Sequence, residues 1–124
     1  MTDTRVVLTT AGSRDEARRI AEGLVDCRLA ACVNIVAGAT SIYRWKGKVE
    51  EAEEWVLLIK TTAAAFERVR DAIKQMHSYE LPECVCLAVE DGSAEYLKFV
   101  EDSVDDSGVS AVDCVATPRE KPAE

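Results

Sequence analysis

The sequence predicts an α+β fold in which two βαβ halves are joined by one long hairpin. Three observations carry that expectation. Apolar spacing alternates between the period of a strand and the period of a helix, in the order β, α, β, β, α, β, α. Two extended arms, residues 31–45 and 48–59, are rich in Val, Ile, Thr, Tyr and Trp and meet at Lys46-Gly47. Turn punctuation at Pro82 and at Asp91-Gly92-Ser93 separates the later elements. Together these give a ferredoxin-like split βαβ sandwich, β1-α1-β2-β3-α2-β4-α3, with its helices on one face of an antiparallel sheet. The 124 residues suffice for one domain, placed at 1–116, followed by a polar tail over 117–124 that holds Pro118 and Pro122.

Taken in order, Val6, Val7 and Leu8 form a short run typical of a strand buried on both faces, placed at 5–11. Ser13 with Glu16 three residues later has the capping-box spacing. Ala17, Ile20, Ala21, Leu24 and Val25 then recur at helical intervals, so the first helix is expected over 13–29. Thr61 or Thr62 is the expected cap of the second helix, whose apolar stripe is Phe66, Val69, Ile73 and Met76. Pro82 forces an extended entry into a fourth strand over 84–89. Asp91-Gly92-Ser93 turns the chain and caps a third helix over 94–103, and residues 109–115 could form a short last strand.

The hairpin arms are too long for the domain that carries them. A strand of about fourteen residues spans about 46 Å. A compact chain of this length is roughly 35–40 Å across. Part of the ribbon, with Ile42, Tyr43, Trp45 and Val49, therefore overhangs, and an isolated two-stranded ribbon is marginal in water. Pairing with the ribbons of sister chains in a closed symmetric assembly resolves this. A bulge or bend is expected near Gly38.

A net charge of −8 argues against a nucleic-acid partner and against anionic membrane surfaces. No apolar run approaches the ~20 residues of a membrane span, and the first residues carry no apolar signal region, so a cytoplasmic location is expected. Five cysteines, Cys27, Cys32, Cys84, Cys86 and Cys114, show no Cys-x-x-Cys spacing; the odd count suits a reducing compartment and small buried thiols.

The densest polar cluster is His77-Ser78-Tyr79-Glu80-Leu81-Pro82-Glu83, which holds the only histidine. His and carboxylate can ligate a divalent metal or move protons; a packed Tyr and a satisfied His are the alternative. Cys84 and Cys86 share one face of a strand and suit either a soft ion such as Cu(I) or ordinary core packing, the latter being favoured. Trp45 marks the hairpin tip between charged residues, and Lys60 closes the second arm where it could hold an anion at a subunit seam. No Gly-rich phosphate loop, nucleophile elbow or paired zinc motif is present, so no enzymatic activity is expected.

Ala31-Cys32-Val33-Asn34, Ser41-Ile42-Tyr43-Arg44-Trp45-Lys46-Gly47-Lys48, Lys60-Thr61, the 77–83 loop and Tyr96-Leu97-Lys98 occur in this order and at these separations. In that combination the chain resembles the CutA divalent-cation tolerance family. The resemblance implies a ferredoxin-like homotrimer with hairpins completing intersubunit sheets, as in PII-type trimers, and a response to divalent cations with copper or another ion weakly bound. The metal ligand it carries over is His77. Two further positions proposed as ligands in the family fall at Thr9 and Met76, and Ser78 and Phe99 stand where the family usually has Pro and Trp. The alternative functions are a PII-like module binding a small anion or metabolite at subunit seams, with Lys60, Tyr79, Glu80 and Trp45 as candidates, and a structural or anchoring trimer.

Overall fold

In the computed structural model, which describes residues 2–106 and 114–115, the predicted order of elements is found. The elements are β1 (Thr4–Ala11), α1 (Arg14–Asp26), β2 (Cys32–Trp45), β3 (Lys48–Thr62), α2 (Phe66–Met76), β4 (Val85–Ala88) and α3 (Ala94–Ser103). The four strands form one antiparallel sheet in the order β2-β3-β1-β4. That order is the ferredoxin-like one, because each βαβ half inserts its second strand beside the first strand of the other half.

Strand register sorts the side chains onto two faces, since directly paired residues share a side. Val33, Ile59, Val7 and Cys86 make one row across the sheet, and Ile35, Leu57 and Thr9 make the next. These rows face α1 and α2 and pack with Ile20, Leu24, Val69 and Ile73 into the main core. The opposite face is also largely apolar: Asn34, Leu58, Leu8 and Val85 form one row, and Cys32, Lys60, Val6 and Leu87 another. It is covered far less well. Val36, Val85 and Leu87 are 48%, 45% and 49% exposed.

The hairpin turn is as the sequence predicts. Lys46 and Gly47 both have positive φ, 49° and 82°, the pair of left-handed residues that matches the twist of the flanking strands. Between Val36 and Ala39 the β2–β3 register shifts, β2 carrying one extra residue, and Gly38 sits in the shift at φ 83°. The extra residue reverses the alternation of β2. Beyond it Ser41, Tyr43 and Trp45 lie on the open face, with Glu54. From Ala39↔Glu54 to Trp45↔Lys48 the two strands have seven pairs and, among the described residues, no third strand beside them, because β1 ends opposite Trp55. That ribbon is about 23 Å long at ~3.3 Å per residue.

Several expectations change in detail. The first helix ends at Asp26, three residues short of the predicted end, although apolar Leu29 continues the spacing. Arg28 turns left-handed at φ 56°, and the Leu29 N–H bonds back to the Leu24 carbonyl, closing the last turn. The second helix begins at Phe66, later than a Thr61 or Thr62 cap implies. Thr62 Oγ1 accepts the Ala65 N–H at 3.2 Å in a preceding turn, while Thr61 Oγ1 donates to the Leu29 carbonyl at 2.6 Å. Of the proposed strand over 109–115, only Cys114 and Val115 are among the described residues, and both have helical backbone. The proposed tail over 117–124 lies outside the described residues.

The cysteine expectation is corrected. Cys27 and Cys114 are joined in a disulfide, so only Cys32, Cys84 and Cys86 are free thiols. The partners are 87 residues apart, and no local spacing could reveal the pair. Val115 packs beside Cys27 against the main core, so the bond fastens the chain after α3 to the end of α1. The bonded pair departs from the set of free, buried thiols inferred from the odd count.

A candidate binding cleft beneath the hairpin

The 77–83 loop is held by buried polar contacts from β1, α1 and β3. Ser13 Oγ accepts the Glu16 N–H at 3.1 Å and so starts α1 with the predicted cap. The Glu16 carboxylate reaches across to the loop, where Oε2 accepts the Ser78 N–H at 2.8 Å. Burial by itself would raise the Glu16 pKa. Hydrogen bonds from the Ser78 side chain and backbone and from the Gly12 N–H outweigh burial and hold it below the ordinary carboxylate range.

His77 is wholly enclosed at its side chain. Its Nε2 donates to the Thr10 carbonyl at 2.6 Å, and its Nδ1 accepts the Tyr79 N–H at 3.1 Å. A carbonyl can only accept and an amide N–H can only donate, so the ring is the neutral Nε2–H tautomer with both nitrogens in use. The ring also stacks at a tilt on Tyr79, centroids 4.6 Å apart. Tyr79 donates its hydroxyl to Glu54 Oε2 at 2.8 Å. Burial first, then the hydrogen bond and charge of Glu54, push the phenol well above its usual range. The ring runs over Gly12, where an added Cβ would meet the phenol oxygen at 2.8 Å; only glycine leaves that space.

Above Tyr79 the hairpin and the loop enclose an open cleft of about 690 Å³, within the size range of small-molecule sites. Tyr43, Arg44 and Trp45 form the ribbon wall, Tyr79, Glu80 and Glu83 form the loop wall, and Thr10 and Glu54 lie between them. Three carboxylates face one guanidinium. Of the four ligand candidates read from the sequence, Trp45, Tyr79 and Glu80 meet here. Lys60 does not: it sits near the far end of β3, where its ammonium bonds Asn34 Oδ1. Sequence reasoning missed Glu54, Arg44 and Thr10. Only the register past the bulge shows that Glu54 shares a face with Trp45.

His77, the one metal ligand carried over by the resemblance, and the residues at the two other family positions do not fit a metal in this arrangement. Both His77 nitrogens are engaged. Thr9 offers a buried hydroxyl with no hydrogen-bond partner, and a hydroxyl is a poor ligand for a soft ion. Met76 turns its sulfur toward α1, 3.0 Å from the position of a Cβ on Gly23. Among the described residues no group of three His, Cys, Asp or Glu side chains converges on a common point.

The same chain of residues has counterparts in known proteins. The profile of the CutA1 divalent ion tolerance protein family matches residues 5–103. The chain belongs to that family. It is 50% identical over 98 residues to the divalent-cation tolerance protein CutA of Thermus thermophilus, covering 79% of this chain and 95% of that one. It is 42% identical over 101 residues to the human protein CutA, covering 79% of this chain but 56% of the longer human one. Among solved structures, the Thermus CutA1 superposes with a TM-score of 0.81 at 48% identity, over 82% of this chain and 99% of that chain. The periplasmic divalent cation tolerance protein CutA of Archaeoglobus fulgidus gives 0.80 at 39% identity, over 82% and 99%. These CutA structures confirm the ferredoxin-like α+β fold. No helix among the described residues is long and apolar enough to cross a membrane.

Proposed function

We propose that this CutA chain works as a homotrimeric divalent-cation response protein in which ion association is weak and depends on assembly. The observation that carries the reading is the seven-pair ribbon that no third strand among the described residues flanks, next to a sheet face whose apolar rows stand half open. An unsupported ribbon of that length is not stable alone in water. Ile42 and Val49 on it are 69% and 64% exposed, which a sister chain would cover. The cleft is walled by the same ribbon, so assembly would set its final shape.

The charge of the cleft favours a cation. Among the cleft residues Glu54, Glu80 and Glu83 outnumber Arg44. A single chain offers carboxylates without a closed ligand shell, which fits weak association of a divalent ion rather than a tightly held cofactor. The reading is non-enzymatic. It is tested by calorimetric titration of Cu(II) and Zn(II) into the wild type and into Glu80→Gln/Glu83→Gln. Uptake by the wild type that weakens in the double variant supports it; equal uptake by both, or none by either, overturns it.

A PII-like second reading, in which the cleft takes a small organic ligand, is favoured by one observation. Trp45, Tyr43 and Tyr79 give the cleft aromatic walls beside its polar groups. A metabolite that raises the melting temperature in the absence of any metal, and no longer does so in Trp45→Ala, would favour it.

A further inference from the structure

The cleft leaves one pair of reactive side chains unused. Cys84 and Cys86 are both free and both partly exposed. Cys86 lies in the row of Val7, Ile59 and Val33, and both thiols pack against the main core. Val85 and Leu87 are exposed on the other face, and although Cys84 lies one residue before β4 begins, it packs against the same core as Cys86, so the two sulfurs share a side. The strand is at the edge of the sheet.

The spacing excludes one fate for the pair and suits another. Residues two apart on a strand have parallel Cβ vectors about 6.6 Å apart. A disulfide needs Cβ atoms within about 4.5 Å, so the two thiols do not oxidise to each other without breaking the strand. A metal ion bridging two sulfurs needs more room. Two metal–thiolate bonds of roughly 2.3 Å each, the length known for zinc, span about 4.6 Å in a line. Sulfurs leaning toward each other from Cβ positions that far apart can reach that distance.

We propose that Cys84 and Cys86 form a two-coordinate site for a soft monovalent cation, with copper(I) as the ion. The inference is independent of the reading of the cleft and of assembly, because the site lies on the helix side of one chain's own sheet. Each thiol gives its proton to solvent as its sulfur–copper bond forms. No electron is transferred, and the bound unit carries one net negative charge. Two guanidiniums sit within electrostatic reach to balance it, Arg70 at Cys84 and Arg5 at Cys86. Arg5 spends its hydrogen bonds on the Thr2 and Thr4 carbonyls and so keeps its charge uncancelled, whereas Arg70 is shared with Asp71. Glu83 opposes them from the loop.

The surroundings also explain the choice of ion. Apolar packing raises both thiols above their ordinary range, each first by burial, and Cys84 further by the nearness of Cys86. Free thiolates are thus disfavoured, and an ion must bind sulfur strongly to displace the protons. Zinc would want four ligands, and among the described residues no third His, Cys, Asp or Glu joins the pair. Thiolate softness selects copper(I).

The test is anaerobic titration of the full chain, its Cys27–Cys114 bond intact, with copper(I) against a colorimetric copper(I) chelator. One ion per chain is expected in the wild type and in Cys32→Ser. Cys84→Ser and Cys86→Ala should each weaken binding by more than about 100-fold, the upper end seen for changes that merely disturb ligand orientation. X-ray absorption of the copper-loaded protein should show two sulfur scatterers and no nitrogen. Binding that survives both cysteine variants, binding that is lost in Cys32→Ser, a nitrogen scatterer, or no binding at all would each overturn the proposal. Circular dichroism melts of the variants establish that they are folded before their binding is compared.

Discussion

Breaking the Cys27–Cys114 bond gives the largest stability change that the structure lets one calculate. The cross-link closes a loop of 87 residues. The chain-entropy relation gives about 15 cal/mol/K for a loop of that size, or about 4.6 kcal/mol at room temperature, acting on the unfolded chain. A denatured chain that keeps some compactness loses less, so the expected range for Cys114→Ser is about 2–4.6 kcal/mol of destabilisation. The assay is urea unfolding at one fixed protein concentration, followed by far-ultraviolet circular dichroism, with oxidised wild type, reduced wild type and Cys114→Ser in parallel. Fixing the concentration matters, because assembly would itself shift the transition. Reduced wild type and the variant should coincide, both below the oxidised protein. If all three unfold at the same midpoint with the same slope, the bond does not constrain the chain and the reasoning fails.

Three further outcomes follow from the cleft and the hairpin. Tyr79→Phe removes the hydroxyl that donates to the Glu54 carboxylate, a group that is 7% exposed, and should cost about 1.5–3 kcal/mol in the same urea assay; Tyr79→Phe in a Glu54→Gln background should cost less. Gly47→Val forces a β-branched residue to φ 82° at the hairpin turn and should cost about 1–2 kcal/mol, whereas an unchanged midpoint would mean the turn adopts another form. Glu16 has a folded pKa held below the unfolded value of 4.5, so its contribution is fully present above that pH and is lost as pH falls through the folded value. Glu16→Gln should therefore flatten the wild-type decline in melting temperature below pH 4.5; a parallel decline in both proteins would count against it.

The order of elements was legible because each rests on local signals. The Ser13–Glu16 cap, the Lys46-Gly47 turn and the Ser93 cap all act within a few residues, and all are found. The end of α1 was not legible, because Leu29 keeps the helical spacing while Arg28, a residue with no special preference for it, takes the left-handed conformation. The cleft was legible in part. Trp45, Tyr79 and Glu80 stand out by residue type, but Glu54 joins them only through a one-residue bulge that reverses the alternation of β2. Lys60 closes the second arm as read from the sequence, but on a strand of fifteen residues that end lies away from the cleft at the other. The imidazole of His77 looked like a ligand because it is the only one in the chain; its enclosure by Thr10, Glu16 and Tyr79 depends on three elements far apart in sequence.

The most direct test of the account is the mass of the protein in dilute solution. Sedimentation equilibrium of the wild type at low micromolar concentration should give a single folded species of three times the 13.6 kDa chain. The ribbon variant Ile42→Asp/Val49→Asp should shift that species toward smaller assemblies. A folded, single-chain species of 13.6 kDa in the wild type would contradict the claim that the hairpin needs sister chains to shelter it.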